Sequence, residues 1–228
     1  MRRRLVRWGP ALGLLGVGIV AVAALVTALA YSGIEGEPYG PLNHTVSELG
    51  ERGVSELAAL FNLGLLVGGV LVIGFMLSIA LGSDSQAGRV FGVLGMLTGF
   101  AVILVGLFPV DDFDAHKVAA ILTFGGIALL AAWFAGWVFA GDAPYPRVLG
   151  ALAVWLVFAM VAFLALPNLL QPEHTFAVEF DPTPPPRPVV WVAALLEWVV
   201  ISSALVWIAL LAWHERSRTI KATRETRA

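Results

Sequence analysis

The chain contains no cysteine, which excludes disulfides, thiolate metal sites, iron–sulfur ligation and a cysteine nucleophile. The same absence leaves no redox-compartment signal. Charge is scarce as well: Asp, Glu, Lys and Arg make up 13% of the residues, about half of what soluble domains carry. No glycine-rich phosphate loop, serine-hydrolase elbow or His-Glu-x-x-His pair occurs. No basic, aromatic-rich face is offered to nucleic acid.

What is abundant is apolar surface. Apolar residues are 59% of the 228, and mean hydropathy is +0.86, so lipid must be the solvent for most of this chain. Six apolar runs stand out, at Trp8–Tyr31, Glu56–Gly82, Arg89–Phe108, Lys117–Ala140, Val148–Leu170 and Val189–Trp213. Each is long enough to cross a bilayer at about 20 residues per crossing, and a helix satisfies its own backbone there. The alternating ten-residue segments of a membrane β-barrel are missing. The reading is all-α: a polytopic six-transmembrane-helix bundle forming a single membrane domain over residues 1–228. Met1-Arg-Arg-Arg4 resembles the start of a signal peptide, with Ala28-Leu29-Ala30 in the shape of a cleavage site. The apolar stretch of about 20 residues exceeds the 7–15 of a signal core, so the segment is kept as the first span.

Orientation follows from the basic residues. On one side of this topology lie Arg2, Arg3, Arg4, Arg7, Arg89, Arg147, Arg216, Arg218, Lys221, Arg224 and Arg227, against Arg52, Lys117 and Arg187 on the other. Both termini are thus expected in the cytoplasm, with the protein a multi-pass resident of the plasma membrane. Acidic residues run the opposite way: Glu35, Glu37, Glu48, Glu51, Glu56, Asp111, Asp112, Asp114, Glu173, Glu179 and Asp181 fall outside, making that face attractive to cations. The outer connections Ser32–Ser55 and Gln171–Pro188 are long, and the second holds Pro182, Pro184, Pro185, Pro186 and Pro188, a stiff polyproline-like run. Function is expected on these outer connections.

The third span carries Gly88, Gly92, Gly95, Gly99 and Gly106 on one face, and the second repeats the theme with Gly64 and Gly68. Small faces let membrane helices approach closely. The face serves either packing within one bundle or a homo-oligomer seam. Trp8, Trp191 and Trp213 sit near span ends, where an aromatic belt is expected.

Three histidines, His44, His116 and His174, fall one in each outer connection, with carboxylates around them. Histidine with carboxylate is the usual cysteine-free ligand set for a divalent metal such as zinc, and His44, Asp112, His116 and His174 are the expected ligands. The same groups suit general acid–base work. Plainer roles stand beside these. Thr45-Val-Ser-Glu48 reads as a capping box before Gly50, and Asp111, Asp112 and Asp114 as acids favouring the N-terminus of the fourth helix. Glu197 lies about 14 Å into the sixth span at 1.5 Å per residue, where an unpaired acid costs about 3 kcal/mol. It must face the interior, take a proton or find a partner. With Asn62 and Thr123 it is expected to form a polar layer beneath the histidines.

The segments Asn43-His-Thr-Val-Ser-Glu-Leu-Gly50, Phe61-Asn-Leu-Gly64 and Gly106-Leu-Phe-Pro109 followed by His116 resemble the bacterial and archaeal family catalogued as domain of unknown function 998. The likeness runs from about Pro10 to Trp213 and leaves His174 and the proline run unmatched. It implies a six-helix membrane protein with marked positions at Asn43, Ser47, Asn62, Pro109 and His116, and implies no reaction.

Four functions fit these residues. The first is a metal-dependent hydrolase or transferase acting on membrane lipid, with Ser47, His116 and Glu197 catalytic and Asn43, Glu48, Asn62 and Thr123 binding. The second is a cation- or proton-coupled transporter or channel, against which the inner halves of the spans offer little polarity beyond Ser78 and Ser202–Ser203. No span is broken mid-membrane as in many transporters. The third is a haem protein with two outer histidines as axial ligands, lacking an inner pair because His214 stands alone. The fourth is a structural accessory subunit.

Overall fold

The computed structural model describes residues 2–34, 36–175 and 187–225. Glu179, Asp181 and the prolines from Pro182 to Pro186 lie outside the described residues. Six long helices carry the chain: α1 (Arg2–Ala30), α2 (Ala58–Gly82), α3 (Gln86–Leu107), α4 (Phe113–Phe139), α5 (Arg147–Leu170) and α6 (Val192–Glu225). All six are long and apolar enough to cross a membrane, the architecture of a multi-pass membrane protein. Two 3-10 turns, Ser47–Gly50 and Pro172–His174, lie in the two long connections.

Several boundaries differ from the sequence reading: α1 begins at Arg2 rather than Trp8, and α4 and α6 shift as well. Helix α4 begins at Phe113 rather than Lys117, because the charges there do not have to enter lipid. Asp114 and Lys117 sit one turn apart on the exposed side and pair at 3.4 Å. Helix α6 starts three residues later than expected and runs on well past Trp213. Its polar tail stays helical through local contacts: Arg218 pairs with Glu215 at 2.8 Å, and the Ser217 and Thr219 hydroxyls bond the carbonyls of Trp213 and Glu215. Ser85 Oγ accepts from the Gly88 N–H at 3.1 Å to start α3. Gly141, at φ +88°, takes the left-handed conformation just past α4.

The helices form a ring in which each packs on the next in sequence and α6 closes against α1. Glycine sets the tightest seam. A Cβ on Gly92 would lie 2.7 Å from the Met76 carbonyl oxygen and 2.6 Å from Ala80 Cβ, and one on Gly106 would lie 2.8 Å from the Asn62 carbonyl oxygen. The glycine face of α3 is thus occupied by α2 of the same chain, the within-bundle use. Gly64 and Gly68 of α2 meet Ala23 and Val20 of α1 in the same manner. At the end away from the long connections, Phe91, Phe134, Trp137, Tyr145 and Trp207 stack edge to face or tilted, closing that end of the ring.

The aromatic belt holds for two of its three members. Trp8 and Trp213 are exposed, but Trp191 is fully buried. Its indole N–H donates to the His174 carbonyl at 2.6 Å, its backbone N–H to the Leu42 carbonyl at 2.7 Å, and the Arg187 guanidinium lies 5.6 Å from its ring. A buried indole needs an acceptor, and here it fastens the two long connections together.

Candidate functional site

The connection between α1 and α2 folds back onto the ring through backbone and aromatic contacts. Tyr39 takes a hydrogen bond from Trp198 Nε1 at 2.8 Å and donates to the Thr45 carbonyl at 2.7 Å. Tyr31, Tyr39 and His44 stack with ring centres 5.2 to 5.3 Å apart. These contacts bury His44, Thr45, Val46 and Glu48 and deliver the Ser47–Gly50 turn to the top of the ring. Asn62 steadies the turn from below, donating from Nδ2 to the Gly50 carbonyl at 2.9 Å. Its Oδ1 occupies the space a Gly50 side chain would need.

Ser47 then meets two other helices. Its Oγ donates to Glu197 Oε1 on α6 at 3.0 Å, and His116 Nε2 on α4 lies 3.3 Å from the same oxygen. The second carboxylate oxygen of Glu197 accepts the Val46 N–H at 3.0 Å. His116 Nδ1 lies 2.8 Å from the Phe108 carbonyl, and a carbonyl only accepts, so Nδ1 carries the proton and Nε2 presents a lone pair to Ser47. A serine hydroxyl next to an oriented, unprotonated imidazole nitrogen is the arrangement of an activated nucleophile. His116 and Glu197 are both buried, away from competing water.

Charge surrounds this group at the mouth. Glu48 is buried, pairs with Arg187 at 3.1 Å and accepts the Thr45 hydroxyl at 3.2 Å. Burial pushes its carboxyl up to about 7, against the downward pull of Arg187 and Thr45. Burial likewise raises Glu51, helped by Asp111, and lifts the Tyr31 and Tyr39 hydroxyls well above the usual phenol range. His44 is shifted down by burial and by Arg187, which favours its neutral form. At the rim, Asp111 accepts from Arg52 three times: from the backbone N–H at 3.1 Å, from Nε at 2.8 Å, and in an ion pair at 2.6 Å. Partial burial lifts the Asp111 carboxyl, but the Arg52 contacts outweigh it and hold it below the usual range.

The structure brings Ser47, His116 and Glu197 together, and it sends other expected partners elsewhere. The capping box forms only in part: Glu48 N–H lies 3.4 Å from Thr45 Oγ1, while the Glu48 carboxylate turns to Arg187. Asp112 makes no side-chain capping bond, and Asp111 serves Arg52 instead of the helix dipole. The layer of Asn62, Thr123 and Glu197 is not joined internally. Asn62 and Glu197 each reach up to the turn, and Thr123 lies seven residues along α4 from His116, about 10 Å deeper. The metal-ligand residues are likewise separated. His44 Nδ1 is engaged by Asn43 Oδ1 at 2.9 Å and the Gly40 N–H at 3.3 Å, while Asp112 is exposed. His116 is committed to Phe108 and Ser47, and the carbonyl of His174 binds Trp191. Among the described residues no three His, Asp or Glu side chains gather into a metal-binding group. Tyr39, Arg187 and Trp191 are the contributors that sequence reading missed. Trp191 is an aromatic residue at a span boundary, a place that pattern alone assigns to the lipid interface, and Tyr39 lies within the α1–α2 connection.

Beneath Ser47 and Glu197 lies a chamber of about 730 Å³ inside the ring, walled by α1, α2, α3, α4 and α6. Its upper end holds Tyr39, Val46, Ser47 and Glu197; its floor holds Met76, Leu130 and Trp207. Almost all of its wall is aliphatic or aromatic, with Thr98, Thr123 and Ser202 the polar members below the Glu197 level.

A family model described as "Protein of unknown function (DUF998)" matches residues 19–214, which takes in α2 to α5 whole, the later part of α1, most of α6 and the whole Ser47–His116–Glu197 cluster. No curated protein and no solved structure matches this chain.

Proposed function

Since the chain belongs to the DUF998 family, described only as of unknown function, we propose its activity from its own site: a membrane-embedded hydrolase or transferase that cleaves a lipid ester. The observation that carries this is the Ser47 hydroxyl held between His116 Nε2 and Glu197 Oε1 at the head of an apolar chamber. The Ser47 hydroxyl turns from Glu197 Oε1 to His116 Nε2, and its Oγ attacks the ester carbonyl carbon while its proton passes to that nitrogen. The tetrahedral adduct collapses, the bond to the alcohol oxygen breaks, and His116 returns the proton to that oxygen. The acyl group now rests on Ser47. Water, or an acceptor alcohol in a transferase, gives its proton to His116 and attacks the acyl carbon, which frees Ser47 and restores its hydrogen. Glu197 holds Ser47 in place and offers negative charge to the imidazolium that forms in between. The apolar wall below Glu197 supports a lipid substrate over an ion path.

The same proposal places both termini in the cytoplasm of a plasma-membrane protein, with the site on the outer side, on the strength of the basic-residue asymmetry. The cysteine-free sequence makes this easy to check: a single cysteine at Glu173 reacts with an impermeant maleimide in intact cells, and one at Ser217 reacts only after permeabilisation.

The test of the chemistry is labelling of purified protein with a fluorophosphonate, which traps activated serines. Wild type is labelled at Ser47 and hydrolyses an acyl ester. Ser47→Ala loses both, and His116→Ala loses about 100-fold or more. Folded wild type that neither labels nor hydrolyses any of a panel of lipid esters overturns the proposal.

A further inference from the structure

The chamber has a side opening as well as a polar head. Ala21, Leu25 and Leu29 line it from α1, and Ser202 and Val206 line it from α6. Yet Leu25, Leu29 and Val206 are 59%, 79% and 54% exposed, and Ala21 and Ser202 are exposed too. Residues that belong both to the chamber wall and to the outer surface mark a slot between the first and last helices. On a helix of this length and hydropathy that outer surface faces acyl chains, not water. The α1 residues fall at intervals of four, one stripe along one side of the slot.

The depth of the chamber is informative. From Glu197 at its head to Ile208 near its floor is eleven residues of α6, about 16 Å of rise. Half of a hydrocarbon core of about 30 Å is about 15 Å. Because α6 begins at Val192, Glu197 lies only five residues, about 8 Å, into that helix and not about 14 Å, and the chamber below it is about as deep as one leaflet is thick. Its floor is closed by the buried rings of Trp207 and Phe134.

Resting on the lipid-ester reading above, we infer that the chamber is the binding site for one aliphatic chain of a membrane lipid, which slides in from the surrounding leaflet through the slot between α1 and α6. The substrate class is an amphiphile whose ester sits at Ser47, whose headgroup lies at the mouth, and whose single cleaved chain fills the ring. A chain delivered sideways never leaves the apolar phase, so desolvation adds no barrier. The closed floor fits a chain of one leaflet's length and excludes longer ones.

The probe is a lysophosphatidylcholine carrying a diazirine at the end of its chain, mixed into nanodiscs with the full-length protein and photolysed. Crosslinks are expected on the floor, in the peptides around Met76 and Trp207. In Ala120→Trp, which fills the chamber from α4, those crosslinks fall about tenfold. In Leu129→Trp, whose ring goes on the exposed side of the same helix, they stay at the wild-type level and certify that an added tryptophan is tolerated. Ser47→Ala keeps the floor crosslinks while losing hydrolysis, so chain binding and ester chemistry fail separately. Crosslinks confined to outward faces of the helices, and unchanged in Ala120→Trp, overturn the inference whatever the enzyme assay gives.

Discussion

Glu197 on the last helix holds Ser47, 150 positions earlier in the chain, by a hydrogen bond of 3.0 Å, and takes the adjacent Val46 N–H with its other oxygen. One buried carboxylate thus fixes both the backbone and the side chain of the turn that carries the reactive hydroxyl. Glu197→Ala leaves the buried Val46 N–H unsatisfied and the Ser47 hydroxyl with only His116 Nε2 to bond. A loss of about 3 kcal/mol in folding stability is expected, read as a lower melting temperature in detergent. Faster hydrogen exchange confined to residues 40–57 should accompany it. Glu197→Gln keeps one acceptor oxygen and should fall between the two.

Glu48 gives the site a pH dependence with a definite sign. Its carboxyl titrates near 7 when folded against 4.5 as the reference. The folded state therefore binds the proton more tightly than the unfolded state, and stability falls as pH rises from the lower value through the upper one. Thermal melting followed between about pH 5 and pH 8 should show Glu48→Gln losing less stability with rising pH than wild type does. Arg187→Gln removes the cation that pulls the carboxyl down, so it should move the midpoint upward.

The Arg52–Asp111 pair bridges the α1–α2 connection to the segment before α4 at the solvent rim, where Arg52 is largely exposed. Exposed pairs add little stability and are screened by salt. Asp111→Ala is expected to shift melting only slightly, and the difference from wild type should vanish at high salt. The informative readout is turnover. Loosening the segment that carries Phe108, which holds His116 in register, should lower ester hydrolysis several-fold more than it lowers stability.

Close packing of α2 and α3 makes a sharp pair of substitutions. Gly92→Ala sets a Cβ against the Met76 carbonyl and Ala80 backbone, and neither is free to swing away. The helices must part, at a cost of about 1 to 3 kcal/mol. Gly125→Ala meets nothing within 4 Å and should be neutral or stabilising by a few tenths of a kcal/mol through helix propensity. Unfolding titrations in mixed micelles separate the two outcomes.

The helices were legible because period and composition determine them. Six apolar runs ended by charge, proline or glycine became six helices within a few residues at most ends. The reading went astray where polar residues keep local company, as in the helical tail beyond Trp213, since hydropathy sees solvent preference and not hydrogen bonding. At the site, the sequence singled out Ser47, His116 and Glu197 separately, Glu197 because a buried acid in lipid demands a partner. It grouped Glu197 with Asn62 and Thr123 in one polar layer and named no partner, and the partner is the Val46–Ser47 turn. No residue spacing encodes a contact made across 150 positions. The even distribution of the histidines over three connections suggested convergence on a metal, but a ring nitrogen is also satisfied by a nearby carbonyl or amide: His44 Nδ1 and His116 Nδ1 take those, while His174 Nδ1 is buried with no hydrogen-bond partner among the described residues.

The closing of the ring by α6 against α1 has a consequence for biogenesis. Synthesis runs from the N-terminus, so α6 inserts after the five spans that precede it. Until it inserts, the turn at Ser47 lacks its carboxylate anchor, and the slot has only one edge. A ribosome-bound chain with five spans in the membrane therefore carries Ser47 and His116 but no assembled cluster. Under the proposed chemistry, reactivity toward lipid would switch on only when α6 docks.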